Sequence, residues 1–313
     1  MSSMKAVRIH AYGGINVLTH EDAPRPKPGD GEVLIRVFAT TVNPFDCAVR
    51  AGYMSAYFNY TFPLILGTDA SGIIEEVGPG VTTFKRGDSV YARGGVARDG
   101  TYAEYAVIPA SDVAAKPRSL DYVHAAAIPH ITLTAWQALI ELANLTHGQT
   151  VLIHGAAGGV GHIAAQIAKW RGAKVIGTAS ANLDFLRELN VDQAIDYSTT
   201  PFENVVGHVD VVLDTIGGDT QQRSWKVLKP GGILVSTAQA PSQETATAYG
   251  VRQAMVFSTP PIGKVLTEVA TLVDSGQIKP HISTVLPLEE VAKAHNMIES
   301  KHTCGKIVLQ VAL

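Results

Sequence analysis

The stretch Thr150–Gly177, TVLIHGAAGGVGHIAAQIAKWRGAKVIG, decides the fold. Val151, Leu152 and Ile153 form a short apolar run, the pattern of a parallel strand buried on both faces. Gly155 to Gly161 then carry four glycines in seven residues, and from Val160 to Trp170 the apolar positions follow a helical period. Lys174 to Gly177 restores a strand. Strand, glycine turn, helix and strand make a βαβ unit. Its turn lets a diphosphate approach the backbone at a helix N-terminus, where unpaired N–H groups and the helix dipole favour negative charge.

The spacing sharpens this reading. The G-x-G-x-x-G fingerprint is met as Ala156-x-Gly158-x-x-Gly161, with Gly159 in addition. Gly158 takes the position where the backbone nears the pyrophosphate, and Gly161 that of the tight helix–strand contact. Glycine-rich turns occur in other α/β domains too, but this one lies between a strand and a helix, as the mechanism requires.

At 313 residues the chain is long for one core, so two domains are expected. Hydrophobic residues at 46% argue against disorder. With a net charge of −3 and interspersed signs, no basic stripe points to nucleic acid and no polybasic segment to a membrane surface. No apolar run reaches the ~18 residues of a membrane span. The N-terminus enters a strand at once and lacks the apolar core of a signal peptide. Two cysteines, Cys47 and Cys304, do not make a disulfide scaffold, and a cytoplasmic location is expected.

Residues 1 to about 115 read as short strands (Lys5–Ile9, Glu32–Thr41, Ser71–Val77, Asp88–Tyr91, Tyr102–Ile108) separated by Gly, Pro and Asp turns, which suggests a small barrel or sandwich. From Asp121 to Ala143 the pattern turns helical, interrupted by Pro129. After the βαβ unit come a helix over Asn182–Leu189, capped by Ser180 or Asn182, and strands at Gln193–Asp196 and Asp210–Asp214. A helix near Gln221–Leu228, a turn at Lys229–Gly232 and a strand at Ile233–Ser236 follow. This alternation is that of a doubly wound parallel sheet. Helices at about Gly263–Ser275 and Leu288–Ser300 and a last strand, Lys306–Val311, close the chain.

Three stretches together resemble the zinc-free medium-chain dehydrogenase/reductases, in particular the NADPH-dependent quinone oxidoreductases. They are Val42-Asn43-Pro44-Phe45-Asp46 with Arg50 and Gly52, Gly67-Thr68-Asp69-Ala70-Ser71-Gly72 leading to Val77-Gly78, and Ala156 to Gly161. Leu133–Trp136, Asp214–Gly218 and Gly305–Val308 match more weakly. The resemblance implies an α/β chain with an N-terminal GroES-like, β-rich catalytic domain at residues 1–120, completed by 262–313, and a Rossmann cofactor domain at 121–261. It implies a homodimer as well. Zinc-dependent relatives carry a cysteine near the start of the stretch at Asn43–Asp46 and His-Glu where this chain has Thr68-Asp69. No metal is therefore expected, although Asp46, Cys47 and Asp69 are nominal ligands.

An NAD site places an acidic residue about 20 positions past the glycines, at the end of the second strand. That strand ends here in Gly177-Thr178-Ala179-Ser180, which admits a 2′-phosphate, so NADPH is the expected cofactor. Ser180 is open to two readings, donor to that phosphate or plain helix cap. Relatives often supply a lysine near the place of Asp184, and Arg187 either substitutes for it or faces solvent. By resemblance, Ala157, Gly158, Gly159, Val160 and Gly161 hold the diphosphate and Tyr197 packs against the adenosine end. Thr215 borders the nicotinamide ribose. Thr237, Ala238, Phe257 and Ser258 hold the nicotinamide half, with Thr134 near the carboxamide.

Without zinc, hydrogen-bond donors must stabilise the charge that develops on the acceptor's oxygen during hydride transfer. Asn43 and Tyr53 are the candidates, although Tyr53, Tyr57 and Tyr60 share a loop that alternatively only walls the pocket. Asp46 is read as orienting its loop or pairing with Arg50, and Cys47 as a small buried residue. The expected activity is reduction of a small-molecule quinone or activated alkene. Enals, enones and enoyl thioesters are alternative acceptors, and a dinucleotide-binding protein with little turnover is an alternative of another kind.

Overall fold

The computed structural model describes residues 2–257 and 261–312. The chain forms two compact units. One takes the chain up to His130 together with Pro261–Gly276 and the segment from Pro280 onward; the other begins at Ile131 and includes Gln277–Lys279.

The first unit opens with β1 (Ser3–Ile9), β2 (Thr19–Pro24), β3 (Glu32–Thr41), α1 (Pro44–Arg50) and β4 (Leu64–Ile65). Next come β5 (Asp69–Val77), β6 (Ser89–Arg93), β7 (Tyr105–Pro109), β8 (Val113–Ala115) and α2 (Tyr122–Ala126), and α3 (Pro129–Trp136) leads on. The expected strand at Tyr102–Ile108 begins only at Tyr105, because the Tyr102 N–H donates to the Leu66 carbonyl at 2.9 Å and leaves the ladder. β3 is central, pairing antiparallel with β5 and β7, and its apolar run is buried along nearly its whole length.

The second unit alternates β9 (Thr150–Ile153), α4 (Gly159–Trp170), β10 (Lys174–Ala179), α5 (Leu183–Glu188) and β11 (Gln193–Asp196). It continues with β12 (Val209–Asp214), α6 (Gly218–Ser224), β13 (Leu228–Ser236), α7 (Gln243–Ala248) and β14 (Arg252–Met255). The strands lie in the order β11-β10-β9-β12-β13-β14, all parallel. That is the doubly wound order, and it reverses direction at β9, where loops at the strand carboxyl ends open a crevice. Val151, Leu152 and Ile153 of β9 have no exposure, as a central strand covered on both faces demands. A Cβ on Gly161 would sit 2.2 Å from the Gly155 carbonyl oxygen, so only glycine lets α4 pack this close to the turn.

Two expectations shift. The helix expected near Gln221–Leu228 starts earlier, at Gly218, and ends at Ser224. Lys229–Gly232, expected as a turn, lies inside β13, where the pairing with β12 is irregular and Gly231 has φ of +77°. The chain then adds α8 (Ile262–Asp274), β15 (Ile282–Pro287), α9 (Val291–Glu299) and β16 (Lys306–Gln310). β16 runs parallel to β15 and antiparallel to β3, with Val308 opposite Thr41. Among the described residues no helix is long and apolar enough to cross a membrane.

Candidate active site

In a parallel sheet every strand's carboxyl end lies on one edge, and most sequence-derived cofactor residues follow those ends. Gly158 follows β9 and serves as N-cap of α4 with extended backbone, φ −76° and ψ −179°. Its carbonyl accepts the His162 N–H at 3.0 Å and the His162 ring Nδ1 at 2.9 Å, so Nδ1 carries the ring proton. The first helical turn holds no acidic residue, and a Cβ on Gly158 would meet only the Gly155 oxygen, at 3.2 Å. An approachable backbone at a helix N-terminus without a competing carboxylate fits a diphosphate. Ala157 and Gly161 are buried, and Gly158, Gly159 and Val160 are partly open.

Half-buried Ser180 follows β10, and Tyr197 follows β11 with its N–H donating to the Ala179 carbonyl at 3.1 Å. Asn182, not Ser180, is the N-cap of α5, without a side-chain hydrogen bond. Arg187 is ion-paired with Asp184, both largely exposed. After β12, Thr215 donates its hydroxyl to the His154 carbonyl at 2.8 Å. After β13, the Thr237 N–H reaches the Asp214 carbonyl at 2.9 Å and the Ala238 N–H the Ser236 hydroxyl at 3.2 Å. Phe257 is exposed beyond β14, and Ser258 lies outside the described residues. Thr134 is half-buried on α3.

The first unit holds a buried polar network around Asn43, the N-cap of α1. Asn43 Nδ2 donates to Asp69 Oδ2 at 2.9 Å and to Thr68 Oγ1 at 3.2 Å, and its Oδ1 accepts Lys306 Nζ at 2.6 Å. Both ends of this amide serve the protein interior, and the residue has no exposure. The expectation that Asn43 donates to a substrate is thereby corrected. Tyr53 is 78% exposed on the loop after α1 and joins none of the hydrogen bonds of the network.

The residues the network does gather include one the sequence left aside. The His130 backbone N–H donates to Asp69 Oδ1 at 2.7 Å, and its Nδ1 lies 3.2 Å from Thr68 Oγ1. Thr68 Oγ1 accepts from Asn43 and keeps one hydrogen and one lone pair, so the direction of its contact with His130 Nδ1 follows the ring's tautomer. Burial pushes the pKa of His130 down to about 3, so the ring is neutral. Phe45 stands beside it with ring centroids 6.4 Å apart, and Phe58 and Tyr60 continue the aromatic wall.

Asp46 orients its loop: it accepts the Asn43 N–H at 2.7 Å and the Tyr102 hydroxyl at 3.2 Å. Burial first, and then the charge of Asp69, push its pKa up to about 7. Arg50 pairs with Glu299 at 2.6 Å rather than with Asp46. Cys47 is buried against His295 Nδ1 at 3.3 Å, and burial pushes the thiol up to about 12. Lys306 and Asp69 were legible only as a strand residue and a nominal ligand. The signal that could have found Lys306 is a lone cation opening an apolar strand, KIVL.

The comparisons agree with this architecture. Residues 29–118 match the alcohol dehydrogenase GroES-like domain and residues 189–309 the zinc-binding dehydrogenase family model. The zebrafish (Danio rerio) mitochondrial NAD(P)H oxidoreductase RTN4IP1 is 33% identical, over 90% of this chain and 84% of that protein. The chloroplastic NADPH-dependent alkenal/one oxidoreductase of Arabidopsis thaliana is also 33% identical, over 98% of this chain and 79% of its own length. The solved quinone oxidoreductase of Coxiella burnetii superposes with a TM-score of 0.90 at 33% identity, covering 99% of this chain and all of that one (100%).

The fold and these relatives define an oxidoreductase acting on small molecules. The chain belongs to the medium-chain dehydrogenase/reductase superfamily.

The zinc named in one family model does not fit the residues here. Asp69 already accepts from Thr41, Asn43 and His130, and the buried Lys306 ammonium lies 3.9 Å from its Oδ2. A divalent ion would have to displace those donors and sit beside a like charge. Among the described residues no three His, Cys, Asp or Glu side chains gather as a ligand set.

Proposed function

We propose that this oxidoreductase passes a hydride from NADPH to a quinone or an activated alkene without a metal ion. The observation that carries the reading is the loop edge of the second unit, where an approachable glycine turn at the α4 N-terminus and the ends of β10 to β14 line up along one side of a parallel sheet. Support for NADPH over NADH comes from the end of β10. β10 ends in Thr178-Ala179, with Ser180 following, and carries no acidic residue of its own at that end.

The bound cofactor supplies the hydride. The protein's residues position and polarise. Burial holds the His130 ring neutral against the charge of Asp69, and Thr68 Oγ1 stands at its Nδ1. Phe45, Phe58 and Tyr60 offer flat apolar surface to a planar acceptor. Metal independence is supported by Lys306 and Asp69, whose pairing supplies internally the positive charge a metal would bring. A homodimer belongs to the same proposal, because β14 leaves one edge of the six-stranded sheet open for pairing with a second copy. The Arabidopsis relative's name supports alkenals and enones as a second acceptor class.

Steady-state oxidation of NADPH and NADH, each with a simple quinone and an enone, tests the reading. Turnover with NADPH that survives chelation is expected. Tight NADPH binding without turnover on either acceptor would instead support a binding protein, and loss of activity on chelation would end the metal-free reading.

A further inference from the structure

The side chain in which β12 ends has no role in the reading above. Asp214 is fully buried, and among the described residues it forms no ion pair. Four donors converge on its carboxylate instead. Oδ1 accepts the N–H groups of Ile216 at 3.0 Å and Gly217 at 2.8 Å, and Oδ2 accepts Gln221 Nε2 and the Ser236 hydroxyl, both at 2.9 Å. A buried carboxylate without a cation is costly unless every lone pair is used, and here the donors come from two loops and their flanks, the β12–α6 loop with α6 on one side and the end of β13 on the other. Ile216 and Gly217 belong to the loop after β12, and Ser236 ends β13.

The same two loops are laced a second time. Gln221 Nε2 also donates to the Gln239 carbonyl at 2.9 Å, and Gln239 Oε1 accepts the Gly218 N–H at 2.9 Å. Gly217 holds φ at +77°, and a Cβ there would meet the Gln239 Cβ at 3.2 Å. The loops are therefore pressed together at a spacing that Asp214 sets from beneath. Both flank positions assigned to the nicotinamide half of the cofactor, Thr215 on one side and Thr237 with Ala238 on the other.

We propose that Asp214 is a positioning residue for the nicotinamide half of the dinucleotide, fixing the separation of these two loops while leaving the adenosine half alone. This rests on the NADPH reading above. In Asp214→Asn one acceptor oxygen becomes an NH2 that faces donors, so the loops must part.

The test is titration of the intact protein with NADPH and, separately, with 2′,5′-ADP, which reaches only the adenosine half. For D214N the NADPH dissociation constant is expected to rise at least ~10-fold while that for 2′,5′-ADP moves less than ~2-fold. An unchanged NADPH constant, or equal losses for both ligands, would overturn the proposal. Should D214N fail to fold, Gln239→Ala removes the brace to Gly218 from an exposed side chain. A ~3-fold loss for NADPH alone is then expected, and no loss overturns the idea. Wild-type protein that binds neither ligand would instead bring down the cofactor reading and this inference with it, an outcome distinct from equal NADPH binding by wild type and variant.

Discussion

Lys306 Nζ lies 2.6 Å from Asn43 Oδ1 and 3.9 Å from Asp69 Oδ2, so the last strand of the chain neutralises a carboxylate carried near its start. All three side chains are essentially without exposure. Burial pulls the pKa of Lys306 down, and the charges of Asp69 and Asp46 push it back up. Breaking such a pair from one side leaves a lone buried charge, which costs about 3–5 kcal/mol. Lys306→Met is expected to lose stability of that order in denaturant unfolding. A variant as stable as wild type would remove the ammonium from its structural role.

Gly161→Ala places a methyl group 2.2 Å from the Gly155 carbonyl oxygen. Neither backbone segment can yield without moving the turn, so a stability loss of about 1–3 kcal/mol is expected. On the proposed reading, in which this turn holds the diphosphate, NADPH affinity should fall more than ~10-fold. Fluorescence titration measures it.

Ser180→Ala removes the hydroxyl proposed to meet a 2′-phosphate. A hydrogen bond to a charged group contributes about 1.5–3 kcal/mol, so the KM for NADPH should rise roughly 10- to 100-fold and that for NADH less than ~2-fold. Equal changes for both cofactors would leave Ser180 as an ordinary half-buried serine beyond β10.

Tyr53→Phe should change kcat by less than ~2-fold, because a side chain this exposed meets solvent rather than a reacting atom. A ~100-fold loss in steady-state rates would restore it as a catalytic group.

Three histidines, His154 and His295 buried and His130 half-buried, set the response to acid. Burial pushes His130 and His295 down to about 3 and His154 down to about 4, against 6.5 when free. Each folded imidazole refuses a proton that the unfolded one takes, so stability is present above about pH 6.5 and is lost as the pH falls toward those values. The loss is about 1.4 kcal/mol per pH unit for each group. Asp46, raised to about 7 from 3.8, acts in the opposite sense: its protonated form favours the fold, and that help disappears as the pH rises from about 4 to about 7. The histidines prevail, giving a net slope of about 3 kcal/mol per pH unit below pH 6.5. Urea unfolding at pH 7, 6 and 5 measures it. His154→Gln should remove about 1.4 kcal/mol per unit of the slope, and an unaltered slope would clear that histidine of the effect.

What the sequence made legible was local. β9, the glycine turn and α4 follow one another without a gap, and their apolar period and glycine spacing are read within a single window. Asn43 illustrates the opposite case. Its residue type suits a donor toward substrate, but its partners Asp69 and Lys306 stand 26 and 263 positions away, and only the tertiary fold reveals that they consume it. Tyr53 is open to solvent while Tyr60 is half-covered, and nothing in a run of loop tyrosines tells which rings are covered. The helix expected from Gln221 starts at Gly218 because Asp214 gathers the preceding N–H groups and launches the turn earlier. Lys229–Gly232 reads as a turn by composition, yet an irregular pairing with β12 takes its glycines into β13.

The place of β16 between β15 and β3 bears on how a newborn chain reaches this fold. The parallel sheet of the second unit is encoded in one unbroken span, from Thr150 to Met255, and can assemble while translation continues. The first unit must hold one flank of β3 vacant until β16 has been made, because its neighbour there lies far downstream, at Lys306–Gln310. A stop codon a few residues before Lys306 would therefore cripple the half of the protein that was synthesised first.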